Sequence, residues 1–186
     1  MRGVRMKNVL VISSSLRNDS NSEILARMAF KGSNDAGNKT EFITLKGMDL
    51  RFCKGCLACQ KTGNCVIKDD MASVIRKVKD ADVLIFASPI YYYGITGQLK
   101  TFLDRLNPLY VQDPSFEDVY LITTSAEEDE EVYERAVECL QGFIDCFPDS
   151  RFVGILSAGG VNTDRIENDP DRKDLLKKAY ELGKTV

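Results

Sequence analysis

Short apolar stretches alternate with segments of helical periodicity along the chain. Five of these stretches are four or five residues long, and we predict strands at 9–12, 42–45, 83–87, 119–123 and 152–156. Three of them are almost continuously apolar, which is typical of parallel strands that are buried on both faces.

Between the predicted strands, apolar residues recur three and four positions apart, the spacing of one helix face. We predict five helices, one beginning near 23 and the others over 71–78, 99–106, 132–144 and 170–182. Asp69 or Asp70 is expected to cap the second helix, and Gly183 to close the last. Cys139 and Cys146 lie seven residues apart on the fourth, so we interpret them as core thiols on one face.

This alternation predicts an α/β fold with a doubly wound, five-stranded parallel sheet. Because crossovers are right-handed, few topologies remain, and the flavodoxin-like strand order 2-1-3-4-5 is favoured. Ligands of such sheets bind at the carboxyl ends of the strands that flank the switch point, here the first and third. We predict a single domain over 1–186 with a cysteine-rich insertion at about 50–68.

Composition and charge narrow the function classes. The chain has 186 residues, of which 44% are hydrophobic and 28% charged, as in ordinary globular proteins. No apolar run approaches the roughly 20 residues that span a bilayer, and the first is too short for a signal peptide. We therefore expect a cytoplasmic location without membrane association. The net charge of −3, without a basic block, argues against nucleic-acid binding.

The chain contains no histidine. Serine–histidine–aspartate and cysteine–histidine nucleophilic schemes are therefore excluded. The absence of histidine also favours a cofactor that carries its own chemistry.

Four of the six cysteines fall within thirteen residues with the spacing C-x2-C-x2-C-x5-C: Cys53, Cys56, Cys59 and Cys65. Thiolates at this density are the ligands that an iron–sulfur cluster requires. Ordinary thiols, a zinc site and disulfides remain open as alternatives. Structural zinc sites usually use two separated ligand pairs, and cytosolic thiols stay reduced.

Polar side chains follow the first predicted strand and lead directly into a helix. The candidate ligands in this loop are Ser13, Ser15, Arg17, Ser20, Asn21 and Ser22. Such a loop offers hydroxyls, backbone N–H groups and the positive end of a helix dipole to a phosphate. It lacks the glycine patterns of nucleoside-triphosphate and dinucleotide loops. A solvated turn with an ordinary serine cap is the alternative.

An aromatic loop follows the third predicted strand, and its candidate residues are Pro89, Ile90, Tyr91, Tyr92, Tyr93 and Gly94. Three consecutive tyrosines cannot all face a core, and exposed aromatic rings suit the stacking of a planar ring system. After the fifth strand, Gly159 and Gly160 allow close backbone approach to a ligand, with a tight turn as the alternative.

In combination, these segments resemble the NAD(P)H-dependent FMN reductase family of flavodoxin-like proteins, most closely its iron–sulfur flavoprotein branch. The resemblance rests on the serine-rich segment 15–22, the cysteine motif followed by 69–71, the segment 88–94, and 97–100 with 104–105. It covers roughly the first 105 residues. One departure is Ser14, where the family often has glycine.

The resemblance implies that FMN is bound, with the phosphate held by Ser15, Arg17, Ser20, Asn21 and Ser22. It also implies that 89–94 line the ribityl chain and the isoalloxazine. A homodimer or homotetramer, with the flavin near a subunit interface, follows from the same resemblance.

The expected function is that of an FMN-dependent oxidoreductase that passes electrons from NAD(P)H or ferredoxin to a small acceptor such as a quinone, flavin, oxygen or peroxide. A 4Fe-4S cluster on the four cysteines would be its one-electron port. No catalytic side chain is assigned, because FMN carries the chemistry. The alternatives are an NAD(P)H:FMN or quinone reductase without a cluster, and a non-catalytic flavodoxin-like electron carrier.

Overall fold

The computed structural model describes residues 5–161 and 164–186. Its strands are β1 (Asn8–Ser13), β2 (Lys39–Thr44), β3 (Val83–Pro89), β4 (Asp118–Thr124) and β5 (Arg151–Ala158). They form one parallel sheet in the order β2-β1-β3-β4-β5, which confirms the predicted fold and strand order.

The helices are α1 (Asn21–Asp35), α2 (Ala58–Thr62), α3 (Met71–Asp80), α4 (Gly97–Arg105), α5 (Glu134–Ile144) and α6 (Lys173–Thr185). Side chains alternate between the two faces of the sheet, so that Phe86 packs in the layer of α3, α4 and α5. Its neighbour Ile85 packs in the layer of α1 and α6. Within the described residues, no helix is long and apolar enough to cross a membrane.

Two expectations about the C-terminal third are wrong. Cys139 and Cys146 were expected to be core thiols on one helix face. Cys139 is partly buried, but Cys146 is exposed, because α5 ends at Ile144. Gly183 lies inside α6 instead of closing it, because α6 continues to Thr185.

The position of Gly183 is explained by the packing of α6 against α1. A Cβ atom at Gly183 would lie 1.9 Å from the carbonyl oxygen of Ala29, and one at Gly32 would lie 1.9 Å from that of Tyr180. Neither helix can therefore carry a larger residue at these positions without moving away from the other. Glycine at both positions allows the two backbones to approach closely.

Gly183→Ala is expected to destabilise the chain by about 1–3 kcal/mol, the usual cost of overpacking a core. The measurement is urea-induced unfolding followed by circular dichroism. Gly142→Ala in α5 is the matched control, because an added Cβ there meets nothing within 4 Å. Alanine there should stabilise by up to about 1 kcal/mol. Equal effects of the two variants would contradict the close-packing explanation.

Candidate functional site

Two adjoining cavities open at the carboxyl ends of β1, β3 and β4. The first has a volume of about 210 Å³. Its lining consists of Ser15, Arg17, Ser20, Asn21, Ser22, Pro89, Ile90, Tyr91, Thr124, Ser125, Ala126 and Val161. The second, of about 200 Å³, shares Ile90, Ser125 and Ala126 with the first and extends to Tyr92, Tyr93 and Glu127. The structure therefore brings the predicted serine-rich loop and the predicted tyrosine loop together at one opening.

The serine-rich loop ends at the N-terminus of α1. Ser20 is the N-cap, and its Oγ accepts a hydrogen bond from the backbone N–H of Glu23 at 3.3 Å. The Oγ of Ser15 accepts from the backbone N–H of Arg17, also at 3.3 Å. The first N–H groups of a helix have no partner within the helix, and the dipole makes this end positive. An anion such as a phosphate is favoured here.

Asn21 connects this loop to the segment after β5. Its Nδ2 donates to the carbonyl oxygen of Asp164 at 2.9 Å, and its Oδ1 accepts from the backbone N–H of Ile166 at 3.0 Å. Arg165 in the same segment pairs with Asp19 at 3.5 Å. Asn21 thus lines the cavity and also holds the loop in place, while its contact with a phosphate stays a prediction.

A buried hydroxyl network joins β1, β3 and the start of α4. Thr96 Oγ1 donates to Ser14 Oγ at 2.9 Å, and Ser14 Oγ donates to the carbonyl oxygen of Ala87 at 3.0 Å. Thr96 is also the N-cap of α4, where it accepts from the N–H of Leu99. Ser14 therefore links the serine-rich loop to α4. Ser13, the last residue of β1, is buried, and its Oγ has no hydrogen-bond partner within the described residues.

Thr96→Val should destabilise the chain by about 1–3 kcal/mol, because it removes a helix cap and leaves a buried hydroxyl without its donor. Urea-induced unfolding measures the change. Thr101→Val is the matched control, since the Thr101 hydroxyl donates to the carbonyl oxygen of Gly97 within its own helix, α4. If both variants unfold at the same urea concentration, the network does not contribute the expected stability.

The tyrosine loop is a tight turn closed by two hydrogen bonds between Tyr91 and Gly94, of 3.0 and 3.1 Å. Tyr92 and Tyr93 occupy its centre with left-handed φ angles of +49° and +64°, which are unfavourable for residues other than glycine. Tyr92 is fully exposed. Tyr93 donates to Glu127 Oε2 at 3.2 Å, and the Glu127 charge raises the pKa of Tyr93. The turn presents aromatic surface beside the cavity.

The two glycines after β5 lie against the loop that follows β4. A Cβ atom at Gly159 would lie 2.8 Å from the carbonyl oxygen of Glu127, and the N–H of Gly160 donates to that oxygen at 2.9 Å. Arg172 Nη1 donates to the carbonyl oxygen of Gly159 at 2.6 Å. The close approach that these glycines permit here is to protein backbone, and their approach to a ligand stays a prediction.

The segment 52–68, which carries the four cysteines, is fastened at both ends by Arg105. The Arg105 and Asp69 side chains are fully buried and form an ion pair in which Nη2 donates to Oδ1 at 2.8 Å. Nη1 also donates to the carbonyl oxygen of Arg51 at 2.6 Å. The Arg105 hydrogen bonds are the main cause that holds the pKa of Asp69 below its usual value.

The four sulfur atoms have different surroundings. Cys59 is buried and accepts from Asn107 Nδ2 at 3.1 Å, while Cys65 is half-buried and lies 3.6 Å from Arg105 Nη2. Cys53 and Cys56 are exposed. Within residues 5–161 and 164–186, no three cysteine, aspartate or glutamate side chains are grouped so that they could hold a metal ion. Four thiols are the type of ligand that an iron–sulfur cluster requires. In this structure, however, the four are not grouped so that they could hold a cluster.

Comparisons with known proteins agree with the fold and with the family resemblance. The sequence profile described as NADPH-dependent FMN reductase matches residues 7–141. An "iron-sulfur flavoprotein" of Methanocaldococcus jannaschii is 40% identical over 103 residues, which cover 55% of this chain and 53% of that protein. An "iron-sulfur flavoprotein" of Archaeoglobus fulgidus is 35% identical over 115 residues, 62% of this chain and 51% of that protein. The chain thus matches about half the length of these curated relatives.

Among solved structures, the NAD(P)H:quinone oxidoreductase from Methanothermobacter marburgensis superposes with a TM-score of 0.79. The sequence identity is 17%, and the alignment covers 97% of this chain and 96% of that one. At this identity the likeness concerns the fold. It extends the agreement to the residues after 141, which the family profile does not reach.

Proposed function

The chain belongs to the NADPH-dependent FMN reductase family, and from this premise we propose that it is an FMN-dependent oxidoreductase. The observation that carries the proposal is the meeting of two loops at one opening. The positive N-terminus of α1, with Arg17, lies on one side, and the tyrosine turn lies on the other. A phosphate and a planar ring need these two environments within the length of one ligand.

The residues present fit FMN by the chemistry of their donors. Hydroxyls of Ser15, Ser20 and Ser22, the Arg17 guanidinium and the first N–H groups of α1 would hold the phosphate. Segment 89–94 would line the ribityl chain and the ring. Bound FMN supplies hydride and single-electron transfer at its own ring. The chain's part is to hold the phosphate, orient the ring and fix the loop through Asn21.

We further propose NAD(P)H as the electron donor and a small molecule as the acceptor, a quinone, flavin, oxygen or peroxide. The family description supports the donor. The competing function is a flavodoxin-like carrier that exchanges electrons only with redox proteins. Catalytic oxidation of NAD(P)H by the FMN-loaded chain, with a quinone as acceptor, supports the enzyme. If NAD(P)H does not reduce the bound flavin, the result would support either ferredoxin as the electron donor or the flavodoxin-like carrier function.

At a finer level we propose a 4Fe-4S cluster on Cys53, Cys56, Cys59 and Cys65. The two relatives named iron-sulfur flavoproteins support it, as does the close spacing of four thiols. Within the described residues the four thiols are not grouped as a metal site, so the support for a cluster is the spacing and the names of the relatives. No reaction step is assigned to the cluster.

Anaerobically purified chain should contain about four irons if the four cysteines hold one 4Fe-4S cluster. Cys56→Ala should lose the iron and keep FMN, since the flavin cavity is lined by other segments. Cys146→Ala is the matched control, an exposed cysteine outside the cluster segment that should leave iron unchanged. Iron and sulfide assays with EPR measure the difference. If the wild-type chain contains no iron and is as active as Cys56→Ala, the cluster is rejected. The function that remains is that of an NAD(P)H:flavin or quinone reductase without a cluster.

We also propose a homodimer or homotetramer. The basis is the family resemblance together with the exposed aromatic surface of the tyrosine turn. Light scattering across a concentration series tests it, and a constant mass of 20.8 kDa would reject it.

A further inference from the structure

The second cavity of the candidate site contains a charged side chain, that of Glu127. The other described residues of its lining are uncharged: Ile90, Tyr92, Tyr93, Ser125, Ala126 and Val132. Within this described lining, no lysine or arginine offsets the carboxylate. The cavity adjoins the proposed flavin cavity, with which it shares lining residues. A molecule that enters it therefore meets aromatic surface and one negative charge.

The backbone of Glu127 is fixed by the ends of two strands. Its carbonyl oxygen accepts from Ser125 Oγ at 2.8 Å and from the N–H of Gly160 at 2.9 Å. A Cβ atom at Gly159 would lie 2.8 Å from the same oxygen, so the turn after β5 packs against it. The position of Glu127 is therefore set by the sheet.

The carboxylate of Glu127 is held by the tyrosine turn. Tyr93 donates its hydroxyl to Oε2 at 3.2 Å, and the Arg135 guanidinium lies 5.6 Å from the centre of the Tyr93 ring. The left-handed φ angles of Tyr92 and Tyr93 cost free energy that the surroundings must compensate. The hydrogen bond keeps the charge beside the cavity, where an unbound glutamate side chain would extend into water.

The next two acidic residues of the loop have other contacts. Glu128 pairs with Arg172 at 3.9 Å, and Asp129 Oδ1 accepts from the N–H of Glu131 at 3.0 Å. Neither is among the described residues that line the two cavities. Glu127 differs from both, because its carboxylate lies in the cavity wall.

We infer that Glu127 selects the electron acceptor by charge. The site takes uncharged aromatic acceptors, such as unsubstituted quinones, and discriminates against anionic ones. Like charges placed close together suppress binding of the wrong partner. Tyr93 is a positioning residue, because it holds the carboxylate at the cavity. The inference rests on the proposed function, since it concerns the acceptor of the proposed flavin site.

Binding of redox-inert probes tests the selection apart from activity. Naphthalene-2-sulfonate and 2-naphthol share one ring system, and only the sulfonate is charged at neutral pH. Calorimetry with the FMN-loaded chain at low salt gives both dissociation constants. Glu127→Gln removes the charge and keeps an oxygen that accepts from Tyr93. It should improve sulfonate affinity relative to naphthol by about three- to tenfold.

Glu128→Gln is the matched control, because it removes the same charge from the neighbouring position outside the lining. It should change the affinity ratio by no more than about twofold. An equal change in Glu127→Gln and Glu128→Gln, an unchanged ratio in Glu127→Gln, or no binding of either probe would overturn the inference.

Turnover tests the same selection with 1,4-naphthoquinone and its 2-sulfonate. Each quinone gains two electrons and two protons, which NAD(P)H and one solvent proton supply. Glu127→Gln should raise the sulfonate-to-neutral ratio of kcat/KM by about three- to tenfold. Tyr93→Phe should raise it less, because the charge remains but is no longer held. A Tyr93→Phe ratio equal to wild type would overturn the positioning role of Tyr93.

Salt provides a further check on the cause. At about 1 M salt the Debye length is only about 3 Å. The kcat/KM ratio of wild type should then approach that of Glu127→Gln, and a salt-independent difference would contradict a charge effect. If the FMN-loaded chain reduces neither quinone, the proposed enzyme and the inference both fail. If it reduces the neutral quinone and Glu127→Gln leaves the ratio unchanged, only the inference fails.

Discussion

Asp69→Asn is expected to destabilise the chain by about 3–5 kcal/mol, because it leaves the buried charge of Arg105 without its partner. Both side chains of the pair are 0% exposed. The substitution also weakens the connection between the two ends of the cysteine segment. Urea-induced unfolding at neutral pH measures the change. Asp49→Asn is the matched control, because the Asp49–Arg51 pair is exposed and should contribute no more than about 1 kcal/mol.

The same pair gives a defined pH dependence. The pKa of Asp69 is lowered in the folded chain, so its contribution to stability is present above its unfolded pKa of about 3.9. That contribution is lost as the pH falls through the lower, folded value. The gap in stability between wild type and Asp69→Asn should therefore be constant above about pH 5 and narrow below about pH 4. A gap that does not narrow in acid would contradict the assigned charge pair.

Arg17→Ala is expected to weaken FMN binding by about 1.5–3 kcal/mol, roughly 10- to 150-fold, the range for a hydrogen bond to a charged group. Arg17 lines the cavity beside the N-terminus of α1. Its guanidinium is the cation of the lining that matches a phosphate dianion. Titration with FMN, followed by flavin fluorescence, gives the dissociation constant.

Lys31→Ala is the control for charge alone. This substitution also removes one positive charge, but Lys31 lies toward the C-terminal end of α1, away from the cavity, and pairs with Asp35. FMN affinity should stay close to that of wild type. If Arg17→Ala binds FMN as tightly as Lys31→Ala does, Arg17 does not meet the phosphate.

The sheet was predictable because its signal is local. Continuous apolar runs mark the buried strands, and the alternation with helices leaves one favoured order, which the structure has. Gly183 was interpreted wrongly for a non-local reason, whereas Cys146 was assigned to a helix that ends two residues before it. The glycine is required by the backbone of α1, and Cys146 is exposed because the helix that carries Cys139 stops before it.

The two loops of the candidate site were also predictable, since each has a distinctive composition directly after a strand. The residues at the end of β4, 124–126, carry no motif, and only the sheet order places them in the cavity. Thr96 carries one local signal, its position before a helix. Asn107 shows none, because its partner Cys59 lies 48 positions earlier in the chain.

A flavin phosphate bound at the N-terminus of α1 is the central feature of the proposed function. The measurement that tests it most directly compares the binding of FMN with that of riboflavin, which lacks the phosphate. Purified chain should take up about one FMN with a dissociation constant on the order of micromolar or lower. Riboflavin should bind at least about tenfold more weakly, because the charge-assisted contacts are lost. No uptake of FMN at micromolar concentration, or equal affinity for the two flavins, would contradict the account.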